Sequence, residues 1–192
     1  MHKNIVYITF LLSLQMIMKH LLFLSLYEEY ADDLLSYGRG LGYEKEDIED
    51  AIQDIIVNLY IRDPQLKEIR NVKVYLFTAL KNRLLNTTRR QRMDSIDDGS
   101  GRFDVSVTVN DIIIDEEERH QLQRRVEIGL SQLTPRQREA VYLRYMQEMD
   151  YDSIAQLLHM TKPSVRNLVS KGLMEMRRNM TARQIMLLLS MI

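Results

Sequence analysis

The sequence predicts an all-α protein made of two small helical domains joined by a flexible linker. Apolar residues recur at helical spacing through residues 21–92 and again through residues 115–180, which gives each part its own buried stripe. Between them, residues 93–114 begin with a run rich in turn-forming and acidic residues. Residues 103–109 alternate with the period of a strand but have no second stretch to pair with, so we expect no sheet.

The residue content argues against several classes of protein. Cysteine is absent, so the chain has neither a disulfide framework nor a thiolate metal site. The four histidines lack metal-ligand spacing, and no phosphate-binding glycine loop or nucleophile elbow occurs. We therefore expect no enzyme, no metal site, no cofactor and no small-molecule substrate.

Charge is segregated along the chain, although the formal net charge is only −1. Residues 27–54 are acidic, 81–92 basic, 94–118 acidic again and 162–183 mainly basic. Alternating blocks are typical of a protein with two partners, one basic and one polyanionic. The lack of cysteine fits the reducing cytosol, so we expect a cytoplasmic location.

Both ends of the chain are apolar. Residues 5–18 are too short for a membrane span, which needs about 20 residues, and no signal-peptide cleavage site follows them. For this N-terminal extension, residues 1–20, we favour a start assigned too early, with translation beginning at Met16 or Met18. The alternative is a real apolar helix that packs on the first domain or touches a membrane. The C-terminal tail, residues 181–192, predicts either a cap on the second domain's core or a docking surface.

The first domain opens with two helical patterns. Residues 22–41 carry a leucine and tyrosine face and end in a glycine-rich run. Residues 46–60 then place isoleucines on one face and polar side chains on the other, which on composition alone is a solvated acidic face. The residues of interest on that polar face are Asp50, Gln53, Asp54 and Asn58.

A loop and a basic helix complete the first domain. Residues 62–72 contain Pro64 and predict a loop, whereas residues 74–92 return to helical spacing. Cations beside aromatic side chains suit single-stranded nucleic acid, although an ordinary basic surface helix is the simpler interpretation. The candidate residues of this helix are Tyr75, Lys81, Asn82, Arg83, Arg89 and Arg90.

The second domain contains a helix-turn-helix pattern. Thr134, Pro135 and Gln137 form the capping box and first turn of one helix. Asp150 can cap the next helix, and Thr161 can cap the third after a three-residue turn at residues 159–161. Two short helices joined by such a turn, the second of them basic, predict DNA binding.

The third helix of this domain has the two faces that a recognition helix needs. Val165, Val169 and Met176 lie on an apolar stripe with Leu168 and Gly172, while cations and short polar groups lie opposite. Such a polar face can meet base edges and phosphates in the major groove, although a solvated surface helix is the simpler alternative. The residues expected to face DNA are Lys162, Ser164, Arg166, Asn167, Ser170 and Lys171.

Two motifs resemble one known family. L-T-P-R-Q-R-E, Y-x-x-I-A-x-L-L and S-V-R-N resemble domain 4 of bacterial RNA polymerase sigma factors, most closely those of the extracytoplasmic-function (ECF) group. D-I-E-D-A-I-Q-D-I-I-V-N-L-Y resembles the domain 2 signature of the same family. The resemblance covers about residues 21–180, with both motifs in the family's order.

The resemblance implies a dissociable specificity subunit of RNA polymerase that is a monomer when free. It implies that residues 21–92 bind the core enzyme and open the −10 promoter element, and that residues 115–180 read the −35 element. Asp50, Gln53, Asp54 and Asn58 would contact the β′ subunit, and the residue set from Tyr75 to Arg90 would contact melted DNA. An anti-sigma protein is the further partner implied.

Two other interpretations remain open at this point. One is a one-component helix-turn-helix regulator whose N-terminal domain senses a ligand or dimerises. The acidic helix at 46–60 and the basic helix at 74–92 count against it, because a repressor needs neither. The other is a membrane-tethered interaction protein, which the apolar N-terminus alone supports.

Overall fold

The computed structural model describes residues 21, 23–61, 69–91, 103–104, 124 and 128–179, and across these residues all regular structure is helical. The predicted all-α fold is confirmed. The extension 1–20, most of the linker 93–114 and the tail 181–192 lie outside the described residues, so the interpretations of them stay predictions. Within the described ranges no helix is both long and apolar enough to cross a bilayer.

The first unit contains three helices close to the predicted positions. They are α1 (23–40), α2 (Lys45–Ile61) and α3 (Val72–Gln91). Asn71 caps α3, since its side-chain oxygen accepts a hydrogen bond from the Val74 amide at 3.1 Å. The predicted loop 62–72 is described only from residue 69, where residues 69–71 are not helical.

The glycines near the end of α1 have different uses, which the sequence did not separate. Gly42 has φ of 87°, a left-handed conformation that ends the turn after α1. Gly38 stays helical, and a Cβ atom there would lie 2.7 Å from Ile48 on α2. Gly38 therefore permits the close approach of α1 and α2 rather than ending the helix. Ile48, Ile52 and Leu59 fill the contact between α2 and its neighbours, as predicted.

The second unit is the predicted helix-turn-helix. Its helices are α4 (Pro135–Tyr145), α5 (Tyr151–Leu157) and α6 (Lys162–Asn179), preceded by a helical turn at 128–131. The capping box of Thr134 and Gln137 is present, and Asp150 accepts from the Ser153 amide at 2.7 Å. His159 adopts φ of 52° in the turn, a conformation that histidine tolerates better than most side chains.

The two units share one hydrophobic core, whereas the sequence predicted a separate stripe for each. Five consecutive residues of α4, Glu139 to Leu143, are buried, so the middle of this helix is covered on every side. One side packs on α6, and Tyr142 on another side meets the first unit. Helix α5 also contacts α3. Periodicity within α4 could not show this second contact, because it depends on residues a hundred positions away.

Candidate nucleic-acid interface

The polar face of α6 is presented largely as predicted. Arg166, Asn167, Ser170 and Lys171 are exposed, while Val165, Val169 and Met176 are buried on the opposite side. The helix is therefore held by its apolar stripe with its cations facing outward. Such an arrangement can place side chains against base edges and phosphates of duplex DNA.

Two of the predicted DNA-facing residues are engaged within the domain. The Lys162 ammonium lies 2.5 Å from a carboxylate oxygen of Asp152 on α5. The Ser164 hydroxyl lies 2.8 Å from the Thr161 hydroxyl, which also accepts a long hydrogen bond of 3.4 Å from the Ser164 amide. Ser164 thus takes part in capping α6, and Lys162 must exchange a carboxylate for a phosphate to reach DNA.

Arg166 is positioned by an aromatic ring that the sequence reading did not single out. Its guanidinium carbon lies 5.4 Å from the centroid of the Tyr151 ring. Arg144 approaches the same ring at 5.2 Å and donates a hydrogen bond to the Met149 carbonyl at 2.9 Å. Cation–π contact favours this placement of both arginines. Tyr151 therefore joins α4, α5 and α6 at the edge of the recognition surface.

The basic face of α3 is only partly available, because two of its candidate DNA-binding cations pair with carboxylates of the same chain. Tyr75 and Asn82 are exposed, with Tyr75 at 37%. Lys81 is instead turned inward to Glu139 of α4 at 2.8 Å. Arg83 pairs with Asp54 of α2, so two residues assigned to different interfaces bind each other. The backbone of Arg89 and Arg90 belongs to α3, but their side chains lie outside the description.

The acidic face of α2 is brought to the surface as predicted. Asp50, Gln53 and Asn58 are exposed and Asp54 is half-buried. The Asn58 amide donates back to the Asp54 carbonyl at 2.7 Å, which keeps it close to its own helix. A polar cleft of 320 Å³ lies along this face, lined by Asp47, Asp50, Gln53, Asp54 and Arg83 among others. The cleft can accept basic side chains of a protein partner.

An apolar groove of 550 Å³ runs beside that acidic face, between α1 and α2. Leu24, Tyr27 and Val57 line it and are exposed at 47%, 41% and 54%. Gln53 borders both the groove and the polar cleft. The surface of α2 therefore offers adjacent acidic and apolar strips, which match a basic amphipathic helix.

The least expected feature is a buried polar cluster between the two units. One Glu139 carboxylate oxygen accepts from the Tyr37 hydroxyl at 2.6 Å and from the Lys81 ammonium at 2.8 Å. Glu139 is 4% exposed. No local signal marks it, because Glu139 lies two residues after the capping box and between polar and apolar neighbours, where an exposed acid is equally compatible with the pattern.

Burial sets the protonation of the tyrosines in this cluster. Loss of hydration, followed by the charge of Glu139, raises the pKa of Tyr37 well above its usual value. Burial likewise raises the pKa of Tyr142 to about 12. Both hydroxyls stay protonated at physiological pH, so Tyr37 acts as a donor to the carboxylate.

Within the described part of the chain, no group of three acidic or histidine side chains could hold a metal ion. The described surfaces that carry chemistry are therefore the acidic face of α2, the basic faces of α3 and α6, and the apolar groove.

Two family models match this chain. The model described as "Sigma-70 region 2" matches residues 26–93, and the model described as "Sigma-70, region 4" matches residues 129–176. Together the matches cover more than half of the 192 residues. They contain α1 to α3 and α4 to α6 respectively, apart from residues 23–25 of α1 and 177–179 of α6.

A solved structure shares the fold. The sigma factor RpoE from Bartonella quintana, crystallised in complex with the anti-sigma factor NepR, matches with a TM-score of 0.56 and 19% sequence identity. The match covers 83% of this chain and 97% of that chain. Comparison with curated protein sequences gives no significant match.

Proposed function

The chain belongs to the sigma-70 family, and from this premise we propose that it is an RNA polymerase sigma factor of the ECF type. It directs the core polymerase to particular promoters and aids DNA melting at initiation. The observation that carries the proposal is the presence of regions 2 and 4 in order in one chain. The exposed acidic face on α2 and the exposed basic face on α6 support it.

The N-terminal domain, residues 21–92, is the proposed polymerase-binding part. Asp50, Gln53 and Asp54 on α2 contact the β′ subunit, with Asn58 at the end of the same face. Carboxylate and amide groups suit this contact because they pair with arginine and lysine on a partner helix. The adjoining groove at Leu24, Tyr27 and Val57 supplies apolar area to the same partner.

Promoter DNA is the second proposed partner, bound at two places. Domain 115–180 reads the −35 element through Arg166, Asn167 and Lys171, with Lys162 and Ser164 at the start of α6. Helix α3 contacts the melted −10 region, where the aromatic ring of Tyr75 can stack on a base beside Asn82 and the cations Lys81, Arg83, Arg89 and Arg90. Residues 93–114 link the two domains.

The remaining features follow from this role. The protein regulates transcription without catalysis of its own, and it acts as a monomer in the bacterial cytoplasm, where polymerase and chromosome meet. An anti-sigma protein is the proposed inhibitor. The solved relative from Bartonella quintana supports this, because it was crystallised with such a protein.

Run-off transcription tests the proposal directly. Purified full-length chain is added to bacterial core polymerase with a library of genomic fragments, and transcripts are sequenced. We expect discrete start sites that core polymerase alone does not use. A chain that binds no core polymerase but occupies a palindromic operator as a dimer would instead be a one-component regulator.

A further inference from the structure

One exposed apolar side chain lies on the polar face of α6. Met174 is 58% exposed, whereas its apolar neighbours Leu173 and Met176 are partly and fully buried. The apolar character of this run does not separate the two methionines, because both occur within four residues of each other. Met174 is therefore an apolar group on a surface that otherwise carries cations and short polar side chains.

Met174 shares the face of α6 that is proposed to read DNA. It follows Asn167, Ser170 and Lys171 by seven, four and three residues, and these spacings place residues on the same side of a helix. All three of those residues are exposed, whereas Gly172 beside them is buried. Met174 therefore extends the proposed reading face by one helical turn.

The surroundings of Met174 are cationic, which favours DNA rather than a protein as the molecule that covers it. Lys171 and Arg177 are exposed on the same side of the helix. Glu175, the only acid in the α6 sequence, pairs with Arg178 at 3.0 Å, so its charge is partly offset. Such a surface attracts a polyanion. A protein-docking surface would need a larger apolar patch than a single methionine.

The usual direction of helical side chains brings Met174 close to Ser170. Long side chains on a helix lean toward its N-terminus, over the residue one turn earlier. Because serine is small, it leaves room for a long side chain beside its hydroxyl group. The two residues together can present a flexible apolar chain to a base edge next to a hydrogen-bonding group.

The thymine C5-methyl group is the part of the major groove that matches this apolar side chain. The other groups on base edges there are mainly hydrogen-bond donors and acceptors, which Asn167, Ser170 and Lys171 can satisfy. Methionine has no donor and only a weakly accepting sulfur, but its flexible chain adapts to an apolar neighbour. Met174 lies about 6 Å further along the helix than Ser170, or about two base-pair steps. The methyl group should therefore belong to a base pair at one end of the element.

We propose that Met174 is a specificity residue of the recognition helix and contacts the methyl group of one thymine at the end of the −35 element. The inference rests on the function proposed above, because it concerns the sequence that the same helix reads. Uracil in DNA differs from thymine only by lacking this methyl group. Replacing thymine by uracil therefore removes the contact and leaves base pairing intact.

Single thymine-to-uracil replacements in a promoter test the proposal. The promoter is one that the full-length chain uses with core polymerase, and each thymine of its −35 region is replaced in turn. We expect one replacement to lower the affinity of the wild-type holoenzyme about threefold, because burial of one methyl group contributes about that factor. In Met174→Ala the same replacement should have no effect, and the unmodified promoter should bind more weakly by the same factor.

The proposal is overturned if no replacement affects the wild-type chain, or if Met174→Ala responds to the same replacement as strongly as the wild type. If Met174→Ala lowers the amount of transcript without changing any response to uracil, Met174 contacts a protein, and the proposal is overturned as well.

Three further variants separate an apolar contact from a general change in the domain. Met174→Leu keeps an apolar side chain and should keep most of the methyl effect, whereas Met174→Gln has a similar length and should lose it. Ile128→Ala removes an exposed apolar side chain outside α6 and should keep the full methyl effect. Loss of the effect in Ile128→Ala would show that it does not depend on a contact by Met174.

Failure of this inference differs from failure of the proposed function. A wild-type chain that uses promoters but responds to uracil equally with and without Met174 refutes only the inference. A chain that gives no transcript with core polymerase refutes the function, and duplexes selected by the free chain then provide the thymines for the same replacements. A chain that selects no duplex overturns both.

Discussion

At the scale of the residue, neighbours decide what each charged side chain can do. Lys81, Arg83 and Lys162 were predicted to face nucleic acid, yet each lies against a carboxylate of its own chain. Arg166 is different, because its closest described contact is the face of Tyr151. An arginine held against a ring keeps its donors pointing outward. Arg166 is therefore the recognition-helix cation best prepared for a base edge.

Substitutions at Arg166 and at Tyr151 distinguish the residue that would contact the bases from the residue that positions it. Arg166→Ala should weaken binding at the −35 element by about 1–3 kcal/mol if the guanidinium makes a bidentate base contact. Tyr151→Leu should weaken binding at the −35 element by only about 0.5–1 kcal/mol, which is the value of an exposed cation–π contact. Tyr151→Phe keeps an aromatic ring and should weaken that binding by less.

Holoenzyme affinity for promoters with single −35 substitutions measures both effects. A changed salt dependence without changed sequence preference would make Arg166 a phosphate contact instead.

At the scale of the element, each helix of the second domain begins where its sequence provides a cap. Thr134 and Gln137 start α4, Asp150 starts α5 and Thr161 starts α6. Helix α5 has only seven residues, too few to be stable alone, so its cap and its packing must hold it. The acidic face of α2 is likewise an element-scale feature, because it requires four polar side chains on one side of a single helix.

The cap at Asp150 predicts a pH dependence. Hydrogen bonds from the Ser153 backbone and side chain lower the pKa of Asp150. A lowered folded-state pKa stabilises the fold fully above the ordinary aspartate value of about 4. That stability is lost as the pH falls through the lowered pKa.

Asp150→Ala should lower the free energy of unfolding by about 1 kcal/mol at neutral pH, because the helix cap is lost. Asp150→Asn should retain most of the cap and lose its acid dependence. Urea denaturation of the three chains between pH 7 and pH 2.5 measures this. If the free energy of unfolding fell equally with pH in the wild type and in Asp150→Asn, the prediction would be wrong.

The face of α2 predicts a binding defect without a folding defect. Asp50→Ala with Gln53→Ala should lower affinity for core polymerase at least tenfold, because both side chains are exposed and belong to the proposed contact with a basic partner helix. The melting temperature should stay within a few degrees, since surface changes usually alter stability by less than about 0.5 kcal/mol.

Asp32→Ala, an exposed acid on α1, serves as the matched control. Asp54 is a poorer choice for this test because its loss also releases Arg83.

Local features were predictable and distant contacts were not. The helix bounds, the capping box at Thr134 and the buried stripe of α6 depend on residues within a few positions of each other, so spacing reveals them. The burial of Glu139 depends on Tyr37, 102 positions away, and on Lys81. Nothing near Glu139 in the sequence distinguishes it from an exposed acid on the surface of a helix. The pairing of Arg83 with Asp54 was missed for the same reason.

At the scale of the whole molecule, one core joins two parts that act at separate places on DNA. Tyr37, Phe103 and Tyr142 make the domains a single packed body in this state. The stability of each domain therefore depends on contact with the other. The same contact determines the free energy that is needed to separate the two domains.

Unfolding should report this coupling. We expect the wild-type chain to unfold in urea in one transition that fluorescence and circular dichroism report alike. Glu139→Ala leaves Lys81 and the Tyr37 hydroxyl buried without their acceptor. It should therefore lower the free energy of unfolding by about 3–5 kcal/mol. If the contact between the domains is lost at a lower urea concentration than the fold of each domain, Glu139→Ala should unfold in two transitions.

Glu28→Ala provides the surface control. A wild-type chain with two well-separated transitions would mean that the domains are not coupled.

The internal pairing of cations has a consequence for the life of the molecule between rounds of initiation. A chromosome offers millions of non-specific sites, and free lysines and arginines are what they attract. Because Lys81, Arg83 and Lys162 each pair with a carboxylate of the same chain, an idle copy presents fewer free cations to non-specific DNA. Non-specific DNA should therefore retain the free protein less firmly, which leaves more of it in solution for the core polymerase.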